Sequence, residues 1–131
     1  MELDLKKPLI VLVILAVAVY FLTTKYTVKD VLKYAHDHPE KSSGPALTYY
    51  VGLGLYTRSD YPPAADAFKQ LLSDYTTTQY THEGLWKLGD TYMNMRDWEN
   101  ARNTYQYYLE RYPDGSHKVM AQRRYEEIRN R

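Results

Sequence analysis

Two prolines, Pro39 and Pro113, stand 74 residues apart, and the chain between them reads as one 37-residue unit written twice. A shift of 37 places Gly52 on Gly89, Asp60 on Asp97, Tyr61 on Trp98 and Ala64 on Ala101. The same shift places Phe68 on Tyr105, Leu71 on Tyr108 and Tyr75 on Tyr112. A further shift back brings Val31, Tyr34 and Pro39 onto the series. A period of this length is that of stacked helical hairpins, none of which buries its apolar face alone. Such stacks present surfaces to other molecules, so the pattern points to docking and away from catalysis.

Length and composition narrow the classes further. A chain of 131 residues has room for one small domain. Net charge is +1, which gives no general attraction to nucleic acid or to acidic substrates. Cysteine is absent, excluding disulfides, cysteine-ligated metal, iron–sulfur clusters and covalent haem. The 15 tyrosines stand against two phenylalanines. A phenol packs its ring and keeps its hydroxyl wet, which suits a thin stack where most such rings are half-buried.

The N-terminal segment is of a different kind. Leu9, Ile10, Val11, Leu12, Val13, Ile14, Leu15, Val17, Val19, Phe21 and Leu22 belong to a run without charge, closed by Lys6 and Lys7 before it and Lys25 after it. The uncharged stretch Pro8 to Thr24 is 17 residues, the lower limit for a helix crossing about 30 Å of hydrocarbon. Lysines that snorkel and the interfacial rings of Tyr20, Phe21 and Tyr26 would extend it. The expectation is a single-pass membrane anchor over residues 1–25, with the remainder outside the cytoplasm and membrane lipid among its contacts. The rival is export and removal of the segment at Ala16-Val17-Ala18, leaving a soluble periplasmic binding module. Glu2 and Asp4 in the leading segment argue against that rival, because they cancel Lys6 and Lys7.

Residues 82–113 carry the specific signature: Leu85, Leu88, Gly89, Tyr92, Ala101, Tyr105 and Pro113. Their spacing resembles the tetratricopeptide repeat. That resemblance implies an all-α fold, a short solenoid of antiparallel hairpins. Repeats fall at about residues 45–76 and 82–113 within a domain spanning 44–131. An orphan second helix and linker occupy 26–43, and a capping helix about 116–130 closes the stack. In the family, the small glycine of the first helix and the alanine of the second let two backbones approach. Tyr108 stands where the family usually has alanine, which implies a looser contact with the next helix. Thr48 and Thr76 depart from the pattern in the first repeat. The long unit and the Tyr-Pro-Asp-Gly turn resemble repeats of bacterial envelope proteins, among them outer-membrane assembly lipoproteins, the Tol-Pal coordinator and anchored accessory proteins of the secretion machinery.

Local chemistry agrees with hairpins. Asp60 and Asp97 stand where second helices need N-caps, Pro62 and Pro63 suit a first turn, and Ser43, Thr81 and Ser116 are candidate caps for first helices. By the geometry of the family, first helices line a groove. Carried over by position, the partner-facing set is Tyr49, Leu53, Tyr56 and Thr57, then Glu83, Trp86, Asp90, Met93 and Asn94, with Arg123 and Glu127 from the cap. Trp86 and Met93 are two turns apart on one face, as a site for a partner's helix or extended segment would require. The alternative is that Trp86 and Tyr49 pack against each other between adjacent first helices. The basic cap helix, with Lys118, Arg123, Arg124, Arg129 and Arg131, is either a solvated face or a site for an acidic partner or anionic lipid. It lacks the stacking platform or groove-reading helix of a nucleic-acid binder. His36 and His38, two apart, point to different sides of a helix and do not form a metal pair. No nucleophile–base pair or phosphate loop is evident, so the expectation is a non-enzymatic scaffold without cofactor. It would be an accessory subunit of a membrane complex, with self-association through aromatic faces as a further possibility.

Overall fold

The computed structural model describes residues 5–25 and 27–131, with the backbone alone at residues 21 and 23–25. Glu2, Asp4, Tyr26 and the side chain of Phe21, all used in the membrane reading, lie outside the described residues. Seven helices follow in order: α1 Lys6–Lys25, α2 Val28–Asp37, α3 Gly44–Thr57, α4 Tyr61–Asp74, α5 Gln79–Asn94, α6 Trp98–Arg111 and α7 Lys118–Ile128. Among the described residues there is no strand. From α2 to α7 each helix packs on its successor, and α3 also packs on α5. That pairing is the hairpin stack read from the period.

The repeated small residues explain the close approach. A Cβ on Gly52 would meet the Phe68 ring at 2.7 Å, and one on Gly89 would meet Tyr105 at 2.6 Å. Each first helix therefore receives an aromatic ring of its own second helix where glycine leaves room. Phe68, Leu71, Tyr105 and Tyr108 are fully buried, with Ala64 and Ala101 beside them. The turns between paired helices are also repeated. Ser59 and Arg96, one period apart, take positive φ of 62° and 56°. Asp97 caps α6 by accepting from the Asn100 amide, and Pro62 and Pro63 sit in the first turn of α4.

Several local expectations change. The cap of α5 is Thr78, whose hydroxyl accepts from the Thr81 amide at 3.0 Å. Thr81 is buried inside the helix and donates to the Tyr75 carbonyl instead. Ser43 and Asp60 hold cap positions without a side-chain cap bond, and the cap position of α7 is His117, not Ser116. Thr48 is accommodated because its hydroxyl donates to the Gly44 carbonyl at 2.9 Å. Tyr108 does not loosen the stack. Its ring is fully buried, and its hydroxyl meets His82 Nε2 at 2.5 Å and accepts from the His117 amide at 3.0 Å.

The larger correction concerns α1. Among the described residues no helix is long and apolar enough to cross a membrane, which overturns the transmembrane anchor and the single-pass, extracytoplasmic placement built on it. The reason is length. Leu9 to Leu22 is 14 residues, and at 1.5 Å per residue it rises about 21 Å against a core of about 30 Å. The rest of α1 is Lys6, Lys7 and Pro8 at one end and Thr23, Thr24 and Lys25 at the other. Leu9, Ile10, Val11, Leu12, Val13, Ile14, Leu15, Val17, Val19 and Leu22 are all exposed, and no packed helix pair includes α1.

Candidate interaction face on the first helices

The expected groove set divides according to what covers it. Trp86 is 7% exposed. His117 stacks on its indole at 4.6 Å with the planes 2° apart, and the Arg124 guanidinium lies 5.0 Å from the ring centre. Tyr105 and Tyr108 close the other side at 5.8 and 6.1 Å. Trp86 is thus clamped between α6 and α7, and its partners are not Tyr49. Asp90 is buried beside it. Its carboxylate pairs with Arg124 and accepts from the Tyr105 hydroxyl at 2.9 Å. Burial pushes the Tyr105 phenol well above its usual range. Glu83 is half-buried and meets His117 Nε2 at 2.9 Å. Three of the expected recognition residues therefore hold the cap helix in place.

The remainder is open and lies mostly on α3 and α5. Tyr49, Leu53, Tyr56 and Met93 are half-buried, while Thr57, Asn94, Arg123 and Glu127 are exposed. Tyr56 organises one end: Asn94 Nδ2 reaches its hydroxyl at 3.4 Å, Lys87 Nζ lies 4.7 Å from its ring centre, and Tyr61 meets it edge-on at 5.7 Å. Tyr49 organises the other, with Tyr50 at 5.2 Å and Tyr80 at 5.7 Å, and Tyr50 and Tyr80 are themselves 5.9 Å apart. Because Tyr49 and Tyr56 are seven residues apart they share one face of α3. Tyr50, Tyr80 and Lys87 were not picked out in the sequence. Tyr80 falls between the repeats that the sequence places at about 45–76 and 82–113, and only the earlier start of α5 at Gln79 puts it on a helix.

The basic cap does not form one patch. Arg124 turns inward to Asp90, whereas Lys118, Arg123, Arg129 and Arg131 are exposed, Arg129 pairing with Glu126 at 3.2 Å and Arg131 lying over Trp98 at 4.9 Å. Leu72 and Leu85, with Tyr107 and Arg111, line a small cleft of about 210 Å³ where α4, α5 and α6 meet. Among the described residues no cluster of three or more histidine, aspartate or glutamate side chains could hold a metal ion.

The family model described as Tetratricopeptide repeat matches residues 83–115, which are most of α5, all of α6 and the turn after it. Residues 83–115 are therefore similar to a tetratricopeptide repeat. The match supports the tetratricopeptide family and a role as a protein-interaction module. It says nothing of bacterial envelope relatives. No curated protein matches the chain.

Proposed function

We propose that the chain is a non-enzymatic tetratricopeptide binding module that holds an extended or helical segment of a partner protein across α3 and α5. As such it would serve as a scaffold or accessory subunit of a larger assembly. The observation that supports this reading is the wet aromatic face itself. Tyr50 is exposed, and Tyr49, Tyr56 and Tyr80 are half-buried on adjacent first helices, with Lys87 and Asn94 alongside. Rigid aromatic anchors flanked by adaptable polar groups are the ordinary currency of peptide recognition. Leu53 and Met93 supply apolar floor, Thr57 extends the edge, and Arg123 and Glu127 give the cap end a polar rim. Trp86, Asp90 and Glu83 act indirectly in this reading, by fixing α7.

A displayed peptide library panned against the wild-type chain tests the reading. Selected peptides should bind at least tenfold more weakly to Tyr56→Ala and to Tyr50→Ala. They should bind normally to Tyr107→Ala, an exposed tyrosine on α6. Equal binding to all three variants would refute the groove. A second reading concerns α1: its 14-residue apolar run is of export-signal length and it belongs to none of the closely packed helix pairs, so cleavage after Ala18 would leave α2–α7 whole. Mass spectrometry of the chain purified from its native host distinguishes the two forms.

A further inference from the structure

In sequence, α1 and α2 occupy the place of a hairpin. Shifted back by 37, Pro45 falls on Pro8, Gly52 on Leu15 and Thr57 on Tyr20. The same shift carries Ala65 to Val28, Phe68 to Val31 and Leu71 to Tyr34. What differs is the connection. Both complete hairpins turn through a residue of positive φ, Ser59 and Arg96. The residue at that register before α2 is Leu22. A leucine rarely adopts the left-handed conformation, because its Cβ crowds the carbonyl. Here the chain stays helical to Lys25, and among the described residues α1 belongs to none of the closely packed helix pairs.

The consequence is an open slot on α2. Phe68 and Tyr105, one and two periods beyond Val31, are fully buried against Gly52 and Gly89 of their own first helices. Val31 has no helix in that place. With Asp30, Tyr34 and Leu47 it lines an apolar pocket of about 350 Å³. Val28 is 41% exposed, whereas Ala65 at the same register is 3% exposed.

We propose that this slot receives α1 of a second copy of the chain, in a reciprocal exchange that completes one helical hairpin on each. Three observations select that occupant. The packing register is complementary: the buried pairs Gly52–Phe68 and Gly89–Tyr105 become Leu15–Val31, with the bulk moved from the second helix to the first. The charges are complementary as well. A first helix starts beside the end of its second helix, as Gly44 lies against Tyr75. The same register brings Lys7 to the C-terminal end of α2, beside Glu40 and the Lys33–Asp37 pair. There both the helix dipole and the carboxylates favour cations. Finally, the missing turn residue disfavours α1 folding over its own α2, while an arm from a second chain needs no turn. Exchange of one element between identical chains is a low-cost route to a dimer.

The chain has no cysteine, so single cysteines report without background. Full-length Leu15→Cys and Val31→Cys chains, mixed under mild oxidation, should give a mixed disulfide at twice the chain mass. Its yield should fall at least tenfold when Leu15→Cys is mixed with Ser59→Cys, or when the Val31→Cys chain also carries Tyr34→Asp. Far-UV circular dichroism checks that each variant keeps its helices. When both cysteines are placed in one chain, an interchain product supports the exchange and an exclusively intrachain disulfide overturns it. Absence of the mixed disulfide between folded chains overturns it too, as does insertion of α1 into phosphatidylcholine vesicles with no cross-link. A native chain beginning after Ala18 would also overturn it. None of these failures touches the peptide-binding result, because the slot lies on α2 and the binding face on α3 and α5.

Discussion

At the scale of single residues, two glycines of α3 have opposite meanings. Gly52 faces the Phe68 ring, as Gly89 of α5 faces Tyr105, whereas nothing lies within 4 Å of where a Cβ on Gly54 would stand. Gly89→Ala should therefore cost about 1–3 kcal/mol, because a buried tyrosine held by Asp90 and Arg124 has nowhere to retreat. Gly54→Ala should instead gain roughly 0.5–1 kcal/mol from reduced backbone freedom in a helix. Urea titration of the two variants checks both signs, and a stabilised Gly89→Ala would mean the ring is not seated there. The caps make a second pair. Asp97 accepts from the Asn100 amide at 3.2 Å, while Asp60 makes no such bond. Asp97→Ala should lose about 1 kcal/mol and Asp60→Ala less than half of that. Equal losses would show that the repeat equates these residues in energy as well as in position. The sequence treats them as equivalent because the shift of 37 sees identity alone. Whether a carboxylate reaches its amide depends on the preceding backbone.

Among the elements, what was legible was periodic and what was not was relational. The spacing of Leu85, Gly89, Ala101 and Tyr105 announces two antiparallel helices, since a 3.6-residue stripe on each side of a short turn can bury itself only that way. The same stripe does not say which helix covers Trp86. Its seven-residue spacing to Met93 establishes a shared face of α5, and the approach of α7, through His117 and Arg124, decides that the indole is covered. Likewise Arg123 and Arg124 are neighbours in sequence, and only the roll of α7 turns Arg124 to Asp90 and Arg123 to solvent. The link between α2 and α4 was equally hidden. Gln70 donates to the Leu32 carbonyl at 2.7 Å, Tyr75 donates to the Ala35 carbonyl, and His36 Nδ1 meets Asp74 at 2.9 Å. The hydrogen bond with Asp74, and then the Asp74 charge, raise the His36 pKa above its usual 6.5. A raised histidine contributes its stabilisation fully below about pH 6.5 and loses it as pH rises through the folded value. Wild type should thus exceed His36→Gln in urea midpoint at about pH 5.5, and the gap should close by about pH 8.5. A gap that is constant across this range would show that the contact is not ionic.

For the molecule as a whole, the stack is a line of helices in which each touches little beyond its neighbours, so stability is a sum of local interfaces. Such a small domain has on the order of 5–15 kcal/mol in total. Against that scale Trp86 is disproportionate, because one side chain joins α5 to both α6 and α7. Its ring also lies against the Arg124 guanidinium that pairs with Asp90. Trp86→Ala should cost about 3–5 kcal/mol through the cavity and the loosened cap. By contrast, Tyr50→Ala on the open face should stay within about 0.5 kcal/mol of wild type. Measured together with affinity for a selected peptide, the two variants should separate cleanly: the tyrosine loses binding and keeps stability, while the tryptophan loses stability first. If Trp86→Ala unfolded like wild type yet failed to bind peptide, the indole would be a contact for the partner and α7 a cover that lifts from it. The binding face would then run from α3 across α5 to the cap, as the first-helix spacing alone implies. The stacked His117 ring, parallel to the indole and tied to Glu83, argues for a fixed cover and therefore for the first outcome.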